Sequence, residues 1–201
     1  MSEKIPCRAC GNLILPSTAE RTQGLCMPCK GGYRENIENG KRFAEERKHY
    51  LASPQARYWS ALVARVYDGA QGFAGLKPPE QLYYVVSVLV GEVYNGGFDQ
   101  YFGNSSGDHY QQTCEGLAEL GATRTLALLQ EARRQLFGDA PVPTDQGERQ
   151  LQMPTYRDTP DSACEAALDA LDRRFYADDE HLAERLYQYA LQHRLFTASE
   201  A

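Results

Sequence analysis

Four cysteines near the N-terminus constrain the fold of this chain more than any other feature. They form two C-x2-C pairs, Cys7 with Cys10 and Cys26 with Cys29. Two thiolates three positions apart can hold one side of a tetrahedral ion, and a second pair closes the site. This spacing is typical of a four-cysteine zinc site. Since four protein ligands leave no open position, we predict a structural zinc ion that performs no chemistry.

The residues around the cysteines predict a zinc ribbon over residues 1–32. Glycines follow both pairs, at Gly11 and at 31–32, where backbone amides can turn toward sulfur. The segments 12–15 and 23–25 suit short β-strands. The alternative is a redox dithiol, which normally opens the helix of a βαβ unit, and the sequence shows no such unit. A ribbon without a core of its own would need the metal to fold.

The sequence predicts a cytoplasmic protein with reduced thiols. The N-terminus lacks the apolar segment of a signal peptide. The longest apolar run, YYVVSVLVG, is about half as long as a membrane span. Because the cytoplasm keeps thiols reduced, we do not expect the six cysteines to form three disulfides. Cys114 and Cys164 lie among leucines in helical patterns, so we expect them to be buried as small hydrophobic residues.

The rest of the chain is predicted to be helical. We expect a linker helix over 33–52, an all-α domain over 53–196 and a disordered tail over 197–201. The valine-rich run between the prolines at 78–79 and the glycines at 96–97 also suits a buried strand. Its length favours a central buried helix. The proline-rich stretch 140–160 is expected to be a break between helices.

A dense motif, EVYNGGFDQYFGNSSGD, occupies residues 92–108. The Asn-Gly-Gly triplet at 95–97 fits a helix end, where one residue adopts a positive φ. Phe98, Tyr101 and Phe102 have the spacing that places side chains on one face of a helical turn. We therefore expect a positive φ at one of the two glycines, with both phenylalanines buried against the preceding helix.

The polar side chains of this motif leave three interpretations open. They are Glu92, Asn95, Asp99, Gln100, Asn104 and Asp108, followed by His109. Such residues satisfy buried backbone groups in tight turns, form partner-binding surfaces, or belong to catalytic sites. Catalysis requires convergent geometry, and no pair here has the spacing of a known ligand set. A deep pocket lined by Glu92, Asp99 and His109 would favour an enzyme.

The motif resembles the signature of a bacterial helical domain family long catalogued as of unknown function. The best-known member of that family is a double-stranded-DNA mimic protein. The resemblance covers residues 54–195, and the cysteine ribbon is an addition to the plain domain. It implies a helical fold and, for the best-known member, an acidic dimer that occupies the DNA-binding face of a transcription factor. The signature residues correspond here to Glu92, Asn95, Gly96, Gly97, Phe98, Gln100, Tyr101, Phe102 and Asn104.

Acidic residues are concentrated near the C-terminus. The chain has a net charge of −6, and residues 139–184 contain twelve acidic and four basic side chains. Asp161, Glu165, Asp169 and Asp172 recur along one helical face at steps of four, four and three residues. A four-residue step rises about 6 Å, close to the phosphate spacing of DNA. The alternative is an ordinary solvated helix face. Further acidic residues follow at Asp178, Asp179, Glu180 and Glu184.

These features predict a non-enzymatic protein-binding module. In its sharpest form it is a DNA-mimic regulator that blocks a basic DNA-binding protein, such as a transcription factor, through an acidic helical surface. The alternatives are an immunity-type inhibitor of a basic toxin, such as a nuclease, and an enzyme of unrecognised type. We expect a basic protein partner, the homodimer that the resemblance implies, no direct DNA binding by the helical domain and no membrane association.

Overall fold

Helices make up most of the structure, a computed structural model that describes residues 3–157, 161–177 and 179–198. One two-stranded antiparallel sheet lies near the N-terminus, ahead of the long helices. The expected fold class is therefore confirmed. The chain divides into two compact units, residues 1–56 and 57–201, which we call the cysteine unit and the helical unit.

The cysteine unit contains a small sheet and short helical turns. Strands β1 (Ile5–Pro6) and β2 (Leu13–Ile14) pair with Ile5 opposite Ile14. Helices α1 (Pro16–Arg21) and α2 (Met27–Lys30) follow, each with a proline in its first turn. The prediction of a strand at 23–25 was wrong, because Gln23 and Gly24 both have a positive φ and form a turn.

A third helix, α3 (Arg34–Ala52), is held by charge pairs along its surface. None of its nineteen residues, all of them described, is buried. Arg34 lies 3.2 Å from Glu38, and Arg42 lies 3.9 Å from Glu46. Exposed pairs of this kind contribute little to stability, because water and salt screen them. The helix therefore gains little stability from packing.

The helical unit is built around one long helix, α5 (Pro78–Gly103). Its side chains Val86, Leu89 and Val93 are fully buried, and the helices that follow it in the chain pack around it. The prediction of a buried helix rather than a strand is confirmed. The other helices are α4 (Pro54–Tyr67), α6 (Tyr110–Glu119), α7 (Thr123–Phe137), α8 (Gln146–Gln152), α9 (Ser162–Tyr176) and α10 (Leu182–Gln192), with 3-10 helices at Gly72–Gly75, Ser105–His109 and Pro154–Tyr156.

The central helix kinks at the two glycines instead of ending there. Gly96 has φ −159° and ψ 25°, and Gly97 has φ 77° and ψ −178°. Helical geometry then resumes as far as Gly103. The expected positive φ is confirmed at Gly97, and Phe98 and Phe102 are fully buried.

The proline-rich stretch is more ordered than the sequence predicts. It contains α8, whose first turn is capped by Asp145 through a hydrogen bond of 2.9 Å from the backbone N–H of Glu148. Residues 158–160 of this stretch lie outside the described residues, as do residues 199–201 of the predicted disordered tail.

Candidate functional site

The cysteine unit brings the four predicted ligands together. The Sγ atoms of Cys7, Cys10, Cys26 and Cys29 all lie within 4.8 Å of one another. Those of Cys10 and Cys26 are 3.7 Å apart. A tetrahedral ion with metal–sulfur bonds of about 2.3 Å requires sulfur–sulfur distances of about 3.8 Å. The four side chains therefore fit one tetrahedral ion that prefers thiolate ligands.

Neighbouring donors stabilise two of these sulfurs as thiolates. The backbone N–H of Cys26 donates to Cys7 Sγ over 3.2 Å, and this bond is the main cause that lowers the pKa of Cys7 to about 6. The Arg34 guanidinium donates to Cys26 Sγ over 3.0 Å and lowers the pKa of that thiol. Hydrogen bonds and a positive charge next to ligand sulfurs are typical of the shell around a metal centre.

The pKa of Cys29 is shifted in the opposite direction. Burial, followed by the neighbouring thiols of Cys26 and Cys10, raises its pKa to about 12. Four sulfurs this close cannot all be thiolates unless a cation offsets their mutual repulsion. A coordinated metal ion would supply that charge and deprotonate the ligand thiol.

The other two cysteines take no part in this cluster. Cys164 is buried and Cys114 is half-buried in the helical unit. Burial raises the pKa of both thiols. Cys164 is thus buried as a small hydrophobic residue, as expected, whereas Cys114 is only partly buried.

The kink in α5 is fixed on one side by three side chains of the signature motif. Glu92 precedes the kink, whereas Gln100 and Asn104 follow it. Oε2 of Glu92 accepts hydrogen bonds from Nε2 of Gln100, at 2.5 Å, and from Nδ2 of Asn104, at 3.0 Å. A single carboxylate oxygen thus joins the two halves of the helix.

The opposite side of the kink is held by α9. Asp172 Oδ1 accepts a hydrogen bond of 2.9 Å from the N–H of Phe98, and the Tyr176 hydroxyl donates to the carbonyl of Val93 over 3.0 Å. A kink frees backbone groups from the helical ladder, and buried groups need partners. A Cβ on Gly97 would lie only 2.2 Å from Asp172 Oδ2, so both this contact and the positive φ require glycine.

The C-terminal end of α5 is capped by a fully buried arginine that the sequence did not single out. Arg149 of α8 donates to the carbonyls of Phe102 and Asn104 at 2.9 and 2.7 Å, and to the Asp108 carboxylate at 2.5 Å. Its Nη1 also donates to the carbonyls of Pro143 and Thr144, both at 2.9 Å. Helix ends leave carbonyls without intrahelical partners, and Arg149 supplies those partners here.

The signature side chains line a groove of about 520 Å³ between α4 and α5. Trp59, Tyr67 and Tyr84 supply aromatic surface, and the Trp59 and Tyr84 rings are stacked with centroids 5.8 Å apart. Among the described lining residues, Glu92 is the only charged one. The remaining lining residues are Val63, Ser87, Val88, Gly91, Asn95, Gln100 and Asn104.

The described residues do not form the pocket that would favour an enzyme. Glu92 lines the groove, but Asp99 and His109 do not. Asp99 accepts a hydrogen bond from the Thr155 hydroxyl, and burial raises the pKa of its carboxyl group. His109 packs on Phe73 with ring centroids 4.0 Å apart, and burial lowers its pKa. The three candidate groups therefore have separate environments.

The acidic residues of α9 divide into an exposed set and an inward one. Asp161, Glu165 and Asp169 are exposed, and Asp161 also caps the helix by accepting from the N–H groups of Ala163 and Cys164. Asp172 departs from the expectation of a four-carboxylate face, because it is turned inward to the kink. We call the three exposed carboxylates the α9 acidic face.

The predicted extension of this face is engaged within the chain. Glu180 accepts hydrogen bonds from the N–H groups of Thr125 and Arg124, at 2.8 and 3.0 Å, and Asp179 lies 3.5 Å from Arg124. Glu184 accepts a hydrogen bond of 2.6 Å from Gln188. Asp178 lies outside the described residues.

Comparison with known proteins places the helical unit in a family. Residues 74–193, which contain α5 and the whole signature, match the model of the DMP19-like protein family. The chain belongs to this family. The DMP19-like region supplies one wall of the groove, whereas Trp59 and Tyr67 of α4 lie outside the matched span.

One curated relative and the solved structures add little to this assignment. The uncharacterized protein YpfL of Salmonella typhimurium is 53% identical over 38 residues, which is 17% of this chain and 9% of the relative. The chain thus spans only a small part of that relative's length. No solved structure gave a significant match. Within the described residues of this DMP19-like protein, no helix is long and apolar enough to cross a membrane.

Proposed function

We propose that the helical unit is a protein-binding module that recognises a basic surface on another protein. The observation that carries the proposal is the separation of charge along the chain. Residues 57–201 contain 21 acidic and 12 basic side chains, a formal charge of −9, whereas residues 1–56 carry +3. Complementary charge of this kind steers encounter and selects partners. Membership of the DMP19-like family fits a protein-binding role.

More specifically, we propose that the module is a DNA-mimic regulator. The carboxylates of the α9 acidic face recur every four residues, a rise of about 6 Å per step, which resembles a row of phosphates. The face would occupy the DNA-binding surface of a basic transcription factor. An inhibitor of a basic toxin would use the same face, so the identity of the partner separates the two. A negative face of this kind would repel DNA itself.

We also propose that the module acts without catalysis. In support, the carboxylates of Glu92, Asp99 and Asp108 each form a hydrogen bond within the helical unit. Glu92 binds two amides, Asp108 binds Arg149, and Asp99 binds Thr155. A catalytic site needs such groups to converge on one reacting position.

The proposed cofactor is one structural zinc ion held by Cys7, Cys10, Cys26 and Cys29. The sulfur–sulfur distance of 3.7 Å and the four-thiolate ligand set support zinc. Four protein ligands leave no position for a substrate, so the ion would have a structural role and would stabilise the fold of the cysteine unit.

Parallel affinity capture tests the binding proposal. The wild-type chain, a Glu165→Lys/Asp169→Lys variant and a Glu3→Lys/Glu20→Lys control are used to capture proteins from the same lysate of the native host. The control changes the net charge equally, but its sites are exposed in the cysteine unit. We expect a basic partner that the wild type and the control recover equally and that the α9 variant recovers at least tenfold less.

Association kinetics with the captured partner sharpen this result. Contacts between complementary charges speed association and weaken as salt screens them. The α9 variant should therefore associate more slowly and show a flatter dependence on salt. Equal recovery by all three proteins, or recovery of acidic partners only, would contradict the proposal.

A further inference from the structure

The groove at the signature motif has the chemistry of a site for one cationic side chain. We propose that it binds an arginine side chain that the basic partner presents on an exposed segment. The inference rests on the proposed protein-binding function and assigns a specific site to it. The groove volume of about 520 Å³ lies in the usual range of ligand clefts.

The aromatic walls suit a guanidinium group. Tyr84 is buried and Trp59 is half-buried, and stacking on Tyr84 holds the Trp59 ring in place at the groove. Tyr67 is 69% exposed at the rim. A cation within about 6 Å of an aromatic ring is attracted to its face, most strongly for tryptophan. The planar guanidinium stacks on such a ring more readily than an ammonium group does.

The polar side of the groove supplies the complementary charge. Glu92 is half-buried, and two amides that bind its Oε2 fix its orientation. Its Oε1 accepts no hydrogen bond from the described residues, and the lining set contains no lysine, arginine or histidine. An incoming cation therefore meets an oriented carboxylate without a competing positive charge.

The amides beside Glu92 add acceptors. Gln100 and Asn104 use their amide nitrogens on the carboxylate, so their carbonyl oxygens remain for a donor. Arginine has five N–H donors in a planar arrangement, whereas lysine has three on a single atom. The combination of a carboxylate, spare carbonyl oxygens and an aromatic wall favours arginine over lysine.

The test uses the single tryptophan of the chain as a local probe, since Trp59 lines the groove. The peptide acetyl-Gly-Gly-Arg-Gly-Gly-amide is titrated into the ¹⁵N-labelled full chain, and the indole N–H resonance is followed by NMR. Matched peptides carry lysine or glutamine in place of arginine. We expect a saturable shift with arginine, a weaker one with lysine and none with glutamine.

Two variants connect the shift with the groove. Glu92→Gln keeps the shape of the side chain but removes its charge, and should weaken arginine-peptide binding about tenfold, as expected for loss of a charged hydrogen-bond partner. Tyr67→Ala removes an exposed ring and should weaken binding about two- to fivefold, in proportion to an exposed cation–π contact. Glu115→Gln removes one exposed charge that lies outside both the groove and the α9 acidic face, and it should leave binding unchanged.

Several outcomes would overturn the inference. They are an equal shift with the glutamine peptide, unchanged affinity in both groove variants, or an indole shift that depends on protein concentration without peptide, which would identify a second copy as the occupant. If Glu92→Gln unfolds in a thermal melt, Tyr67→Ala decides the question alone. Unchanged capture of the partner by both groove variants would overturn the groove assignment and leave the proposed function intact.

Discussion

The two units of this chain reach a folded state by different means. In the cysteine unit, Leu13 and Met27 are 64% and 56% exposed, whereas Cys7 and Cys26 are buried. In the helical unit, a continuous apolar core surrounds α5. Among its described residues the cysteine unit buries few apolar side chains, so the proposed metal ion would take the place of a core. This difference predicts that each unit can be destabilised separately, by a different kind of substitution.

The largest expected effect is unfolding of the cysteine unit while the helical unit stays folded. Cys26→Ser removes a ligand and should abolish binding of the metal, so the cysteine unit unfolds. Metal content per chain and the NMR spectrum measure this, and the helical unit should keep its dispersed resonances. Cys114→Ser is the matched control, because Cys114 lies outside the cluster, and it should retain one ion per chain. Unfolding of both units in Cys26→Ser would contradict the account.

The next effect concerns the buried arginine of the helical unit. Arg149→Met leaves several carbonyls and the Asp108 carboxylate without their partner. Breaking a buried charged network typically destabilises a protein by about 3–5 kcal/mol. Urea unfolding should show a loss of that size, with metal content unchanged. Arg134→Met, which removes an exposed charge paired with Glu131, should lower stability by less than about 1 kcal/mol. Equal losses in the two variants would show that burial of Arg149 is not decisive.

A smaller effect is expected at the kink. Gly97→Val forces a β-branched residue to a positive φ and places its Cβ against Asp172. Such strain amounts to about 1–3 kcal/mol, so the free energy of unfolding should fall by at least about 1 kcal/mol. Gly91→Ala lies in the same helix, and nothing lies within 4 Å of the added Cβ. It should raise stability by roughly 0.5–1 kcal/mol because alanine favours helix. A neutral Gly97→Val would refute the account of the kink.

The smallest effect is a dependence on pH that belongs to the helical unit. Burial raises the pKa of Asp172 above 3.8, while the Phe98 N–H opposes this shift. Since the folded state binds the proton more tightly, the contribution of this group to stability falls as pH rises from 3.8 through its folded pKa. Asp172→Asn keeps an acceptor for Phe98 but cannot ionise. The stability of the variant relative to the wild type should therefore rise across this range and then level off, as measured by urea unfolding at each pH. A fall in the stability of the variant relative to the wild type as pH rises across this range would contradict the assignment.

Local constraints explain what could be predicted from the sequence. The spacing of Cys7, Cys10, Cys26 and Cys29 is the one that a tetrahedral metal site requires, so the cluster could be predicted from a short pattern. A positive φ is a property of one residue, and glycine at 97 adopts it with little strain. Burial of Phe98 and Phe102 follows from their helical spacing within an apolar segment. The fold class follows from apolar periodicity over most of the chain.

Long-range packing explains what could not be predicted. Asp172 bonds to Phe98 across 74 positions in the chain, and its spacing alone indicates an outward face. Arg149 lies in a proline-rich stretch, where an arginine is normally exposed. The groove, too, is formed by residues that are distant from one another in the sequence. The signature indicates Glu92, Gln100 and Asn104, but the aromatic wall at Trp59 and Tyr67 comes from another helix.

The central claim is that metal ligands hold one unit and an apolar core holds the other. Hydrogen–deuterium exchange of the full chain, with and without EDTA in reducing buffer, tests it most directly. We predict that EDTA abolishes protection across residues 5–30 while the amides of α5 and α7 remain as protected as before. Loss of protection in both units together, or unchanged protection in residues 5–30 after the metal has been shown to be removed, would contradict the account.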